Sequence, residues 1–138
     1  MKGWPNGRPG ESQVPPITVS TVLQVIVGVE LLLVWVVRAK WATKFRGGDA
    51  KTLKEEFATY GLPVWFFYSI AVLKIGSAIA LIVGLWVPEL VLPAAGLVVA
   101  LMLGALAMHR KVDDPLIKYR PAFTVFLMSA TVVVLQFV

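Results

Sequence analysis

Apolar residues along this chain gather into four long runs, at about 17–37, 63–87, 88–109 and 121–138, with polar connections between them. About 20 mostly apolar residues are needed for a helix to cross a hydrocarbon core of roughly 30 Å. None of the runs alternates like a membrane strand, so each predicts a transmembrane helix. The pattern reads as an all-α integral membrane four-helix bundle. Residues 1–16 carry four prolines and three glycines and form a separate segment, either an extended arm or disorder. The run behind them is too long for the apolar region of a cleavable leader.

The connection between the first two runs holds more than loop. Leu53, Phe57 and Tyr60 recur at i, i+4 and i+7 with charges between them. That spacing predicts a short amphipathic helix, with Asp49 as N-cap and Gly61 as its stop. It lies on the membrane surface, packs over the bundle, or does both. Pro63 and Pro121 stand where helices can start without losing a hydrogen bond. Residues 84–89 form a short turn, and Pro93 either kinks the third span or marks its start.

Composition supports the membrane reading. Of 138 residues, 58% are apolar and 15% charged, and none is cysteine. A soluble domain carries about 25% charged residues, and a chain this small cannot bury so much apolar surface on its own. The absence of cysteine excludes disulfides, iron–sulfur ligation and thiol redox chemistry by this chain.

The net charge of +5 is explained by position along the chain. Four spans place the N-terminus, the 84–89 turn and the C-terminus on one face. The other face takes Arg38, Lys40, Lys44, Arg46, Lys51, Lys54, Arg110, Lys111, Lys118 and Arg120, against only Lys2 and Arg8 on the first. The positive-inside rule then puts both termini on the outer or luminal side and the basic loops in the cytoplasm or its equivalent. The basic pI thus calls for no nucleic-acid partner, and basic loops attract anionic lipid headgroups. Trp35, Trp41, Trp65 and Tyr119 near the basic face, and Trp86 near the other, read as interfacial belts.

Small residues recur every four positions as Gly76, Ala80 and Gly84 in the second span and Gly96, Ala100 and Gly104 in the third. Such ridges let helices approach closely in lipid. They read as the shared contact of a helical hairpin, or as a dimer face.

Two ionisable residues lie deep in the spans, Glu30 and Lys74, each roughly 12–17 Å from the basic face at 1.5 Å per residue. Charges at that depth are costly, face the bundle interior and find partners. A Glu30–Lys74 intramembrane pair is therefore expected, either purely stabilising or forming a polar pocket for a ligand, a quinone headgroup or a proton. His109 ends the third span with Asp113 four residues on and Asp114 next to it, an interfacial hydrogen-bonded cluster or a weak cation site. No nucleophile–base order, HExxH, P-loop or GxGxxG is present, so no catalytic or metal constellation is read, and no cofactor is required.

From Tyr60 onward the chain resembles the DoxX-like family of small four-helix membrane proteins. The matching words are Tyr60-Gly61-Leu62-Pro63, Leu73-Lys74-Ile75-Gly76, Leu92-Pro93-Ala94-Ala95-Gly96, Met102-Leu103-Gly104-Ala105 with His109, and Asp114-Pro115-Leu116. Span one matches loosely around Gly28. The family includes parts of bacterial quinone-linked oxidoreductase systems, partners in redox-stress membrane complexes and an animal nicotinic-receptor chaperone. Family members often carry an acidic residue in span two and a basic one in span one; here Lys74 and Glu30 are the reverse. Fold alone does not fix the activity across such a family.

The leading expectation is an accessory or assembly subunit of a larger membrane complex, in contact with lipid and with other integral membrane subunits and without catalysis of its own. The alternatives are a quinone-linked oxidoreductase component and a small transporter.

Overall fold

The structure, a computed structural model, describes residues 14–41 and 43–138. Most of the N-terminal segment at 1–16 therefore lies outside the described residues. All regular elements of the described chain are helical, and the described residues contain no strand. Helix α1 (Val19–Leu32) opens on a capping box, in which the Thr18 hydroxyl accepts from the Thr21 N–H and the Thr21 hydroxyl accepts from the Thr18 N–H. It continues into a wider turn over Leu33–Val37, closed by the Arg38 N–H donating to the Leu33 carbonyl five residues back at 2.7 Å. Then follow α2 (Leu53–Thr59), α3 (Val64–Val83), α4 (Val91–Lys111) and α5 (Arg120–Leu135). One-turn 3₁₀ segments, Pro88–Leu90 and Leu116–Tyr119, lead into the last two.

Four stretches are long and apolar enough to cross a membrane: Val19–Val37, Val64–Val83, Pro88–Lys111 and Leu116–Leu135. They correspond to the four runs of the sequence. The last begins earlier than its run, because Leu116–Tyr119 winds directly into α5. Pro63 caps α3 and Pro121 sits in the first turn of α5. Pro93 is the third residue of α4, in the first turn where a missing N–H costs nothing, so it marks a start rather than a kink.

The short amphipathic helix is α2. Its stripe of Leu53, Phe57 and Tyr60 is buried against the bundle. Gly61 stops it at φ +80°, with the Gly61 and Leu62 N–H groups returning to the Ala58 and Phe57 carbonyls. Its N-cap is Thr52 instead of Asp49: the Thr52 hydroxyl accepts from the Glu55 N–H at 3.1 Å. Capping needs the oxygen three residues ahead of the donor, and Asp49 is too far upstream.

Helix α1 packs on α3 and α5, and α4 packs on the same two, closing a four-helix ring. One apolar cluster fills the end away from the basic loops, around Val27, Ala78, Leu81, Val98 and Val132. A second, with Trp35, Leu53 and Phe57 at its centre, sits under α2 at the basic end. Trp35 is 7% exposed and so belongs to the interior, whereas Trp41, Trp65 and Trp86 are exposed.

The small ridges meet only in part. Gly84 lies against Val91, where an added Cβ would come within 2.8 Å of the valine side chain, and Ala80 packs on the first cluster. A Cβ at Gly76, Gly96 or Gly104 would meet nothing within 4 Å, and Ala100 is exposed. The α3–α4 hairpin is thus tight at its turn and loses close contact toward the basic end. The closest glycine-mediated approach is elsewhere. A Cβ at Gly28 of α1 would come within 2.8 Å of Ile82 and 3.0 Å of the Ala78 carbonyl oxygen of α3.

Candidate functional site

The space left between the helices at the basic end is a cavity of about 460 Å³, lined by residues of all four spans and roofed by α2 and the 38–52 connection. Its floor is apolar, from Leu31, Met102 and Val125. Its upper wall is aromatic and charged. A volume of 300–1,000 Å³ with an apolar body and a few placed polar groups is characteristic of small-molecule sites. The wall is low at Ala100 and Gly104, small exposed residues of α4 that both line the cavity.

Glu30 and Lys74 both face this cavity, but they do not form an ion pair with each other. The Glu30 carboxylate accepts from the Arg38 guanidinium at 2.9 Å. The wider turn at Leu33–Val37 and the length of the arginine side chain let Arg38 reach back over two turns. Lys74, 8% exposed, places its ammonium 4.8 Å from the centre of the Trp35 ring. That ring is held by Phe67, stacked at 5.7 Å, and by Phe57, edge-on at 5.8 Å. A cation over an indole gains about 0.5–2 kcal/mol. A charge at mid-membrane costs about 2.5 kcal/mol or more. The ring therefore offsets only part of the cost of burying Lys74.

The other cations on the wall each have a carboxylate. Arg38 has Glu30, Arg46 stands 3.8 Å from Glu56, and Lys118 stands 3.7 Å from Asp114. Arg46 is nearly buried, and its guanidinium also donates to the carbonyls of Arg38 at 2.7 Å and Trp41 at 3.1 Å. Burial pulls its ionisation below the usual arginine range, and Glu56 opposes the shift. Glu56 accepts in addition from the Tyr60 hydroxyl at 2.6 Å. Burial, with Glu56 beside it, pushes the Tyr60 phenol far above its ordinary value. From the sequence Arg46 reads only as a loop cation, Trp35 as an interfacial aromatic and Tyr60 as part of the α2 stripe, and Glu56 is not marked at all; none points to the cavity. The one trace of the site is the buried stripe of α2, which brings Tyr60 inward and Glu56 with it.

His109 is buried, and its Nδ1 lies 2.7 Å from the Asp114 carboxylate. Asp113, the expected i+4 partner, is exposed instead. The helix ends at Lys111, and Asp113 takes φ +53° as the left-handed residue of a Schellman turn. The Asp113 and Asp114 N–H groups donate back to the Arg110 and His109 carbonyls. That turn swings Asp114 beneath His109. Asp114 also accepts from the Gly48 N–H at 2.9 Å, and Lys118 donates to the Gly48 carbonyl. Lys111 donates to the Tyr60 carbonyl at 2.7 Å. These bonds clasp the first basic connection to the second and hold the roof of the cavity in place.

The sequence matches the DoxX-like family over residues 22–134. The chain belongs to the DoxX-like family. The match takes in α2, the whole cavity wall and all four spans but for the first three residues of the first and the last residue of the fourth, and it fits a small multi-pass membrane protein whose helices contact lipid. Comparison with the curated proteins and with the solved structures returned no match.

Proposed function

We propose that this DoxX-like protein is a membrane-embedded binding subunit that holds one small amphipathic molecule drawn from the lipid phase. The observation carrying this reading is the cavity of about 460 Å³, with an apolar floor and an aromatic, charged upper wall. An amphipathic guest matches both halves. Quinones are one such class, as expected for a component of a quinone-linked system: their rings suit the walls of Trp35, Phe57 and Phe66, and Lys74 can donate to a ring carbonyl.

The test is thermal stability of the purified chain in nanodiscs with a short-chain quinone added. A ligand at a hundredfold excess over its dissociation constant stabilises by about 2.7 kcal/mol. A rise that disappears in Gly104→Phe, which fills the cavity where a Cβ meets nothing, supports the reading. No rise with quinone or with any other amphipath removes it.

A second reading, an accessory subunit of a larger membrane complex, is favoured by Gly76 and Gly96, where an added Cβ meets nothing within this chain. Stoichiometric co-purification with other membrane subunits in mild detergent, weakened by Gly96→Leu, supports it. In both readings the basic loops face the cytoplasm or its equivalent, following the ten-to-two charge bias.

A further inference from the structure

The cavity contains one cation with no carboxylate in ion-pair contact among the described residues: Glu56 acts on Lys74 only at longer range and is itself held by Arg46 and Tyr60. Arg38, Arg46 and Lys118 pair with Glu30, Glu56 and Asp114. Lys74 has the face of Trp35 and no hydrogen bond or ion pair among the described residues, although it is nine-tenths buried. Arg38, on the same wall, has its Nε–H buried without a partner. Glu30 and Glu56 are occupied by Arg38, and by Arg46 and Tyr60, respectively. An unpaired ammonium in an apolar, low-dielectric setting attracts an anion far more strongly than it would in water.

From this geometry we infer that the molecule held in the cavity is an anionic amphipath, a single carboxylate or phosphate on an apolar chain, with Lys74 as the headgroup anchor. This rests on the binding reading above and specifies the ligand's charge. The headgroup sits at Lys74 beside Trp35, and the chain lies over Leu31, Met102 and Val125. The molecule enters from the bilayer past Ala100 and Gly104, where small side chains leave the α4 wall low. The anchor is at the level of the second span's interior, so the headgroup leaves the interface on binding. Only a compensating cation offsets its desolvation. That requirement separates this site from the surface basic residues, which meet lipid headgroups in water.

The full chain in phosphatidylcholine nanodiscs is titrated with oleate, oleyl phosphate and oleyl alcohol, which share a chain and differ in headgroup. Binding is read by thermal stability and by Trp fluorescence. Charged hydrogen bonds separate the anions from the alcohol by roughly tenfold or more in affinity. Lys74→Met brings the anions down to the level of the alcohol, and Lys74→Arg keeps them ahead. Retained binding of oleyl alcohol, together with an unchanged helical circular-dichroism spectrum, serves as the folding control in Lys74→Met, and the stronger of the two anions identifies the headgroup class. Equal binding of alcohol and anions by the native chain overturns the inference and leaves the broader binding reading standing. So does an anion preference that survives Lys74→Met. If neither the amphipaths nor the quinone binds, both fall.

Discussion

At the scale of single residues, the polar contacts of this protein depend on where helices end. His109 and Asp113 are four apart, a spacing that joins side chains only while the helix continues. The helix stops at Lys111, and Asp114 takes the contact. Asp114→Ala leaves His109 and the Gly48 N–H without their partner and is expected to cost about 2–3 kcal/mol, read as a lower unfolding temperature in detergent. Asp113→Gly relieves a left-handed backbone and is expected to stabilise by up to about 1 kcal/mol in the same measurement. Glu30 shows the same limit of sequence reading. Arg38 is eight residues away, out of register for a regular helix contact, and its reach depends on the wider turn between them. Tyr60 supplies a pH signature. Its ionisation is raised on folding, so the phenol's contribution to stability is present below about pH 10 and is lost as pH rises beyond it. In the folded protein, the tyrosinate absorbance gained around pH 10 is expected to be the same for the native chain and Tyr60→Phe. A smaller signal in the variant contradicts the buried placement.

At the scale of elements, hydrophobic periodicity was the most informative part of the sequence. The stripe of Leu53, Phe57 and Tyr60 identified both α2 and its buried face, because a 3.6-residue repeat converts directly into geometry. The small-residue ridges form the α3–α4 hairpin contact only in part, because a stripe of glycines says that close approach is permitted and not that it occurs within the chain. Gly76, Gly96 and Gly104 have open space in front of them, whereas Gly28 has the α3 backbone. Gly28→Leu is therefore expected to destabilise the bundle by about 1–3 kcal/mol, as overpacking does. Gly96→Leu is expected to stay within about 0.5 kcal/mol of the native chain in thermal unfolding. The reverse order means that α1 and α3 do not pack through Gly28.

At the scale of the whole molecule, the four spans and the all-helical class were legible because length and apolar content alone decide them. The cavity was not. It arises where α3 and α4 lose close contact beneath a surface helix, which no one-dimensional pattern records. Around it Glu30, half-buried, and Lys74, buried, have different partners in place of each other, and the proposed ligand site rests on that arrangement. The clasp of Asp114, Lys118 and Lys111 on the Gly48 and Tyr60 backbone keeps the roof of that site in register with its walls. Orientation can be tested directly because the chain has no cysteine. A cysteine at Asp49→Cys is expected to react with a membrane-impermeant thiol reagent only from the cytoplasmic side, and one at Glu89→Cys only from the opposite side. Labelling of both from one side contradicts the four-span path.

The central claim is that the cavity at the basic end holds an amphipathic molecule from the lipid phase. Native mass spectrometry of the full chain, extracted in mild detergent, tests it most directly. The native protein is expected to carry one small amphipathic molecule per chain, and Gly104→Phe, with the same helical circular-dichroism spectrum, is expected to fly without it. A native protein at its bare chain mass, or an equal load retained by Gly104→Phe, contradicts the claim.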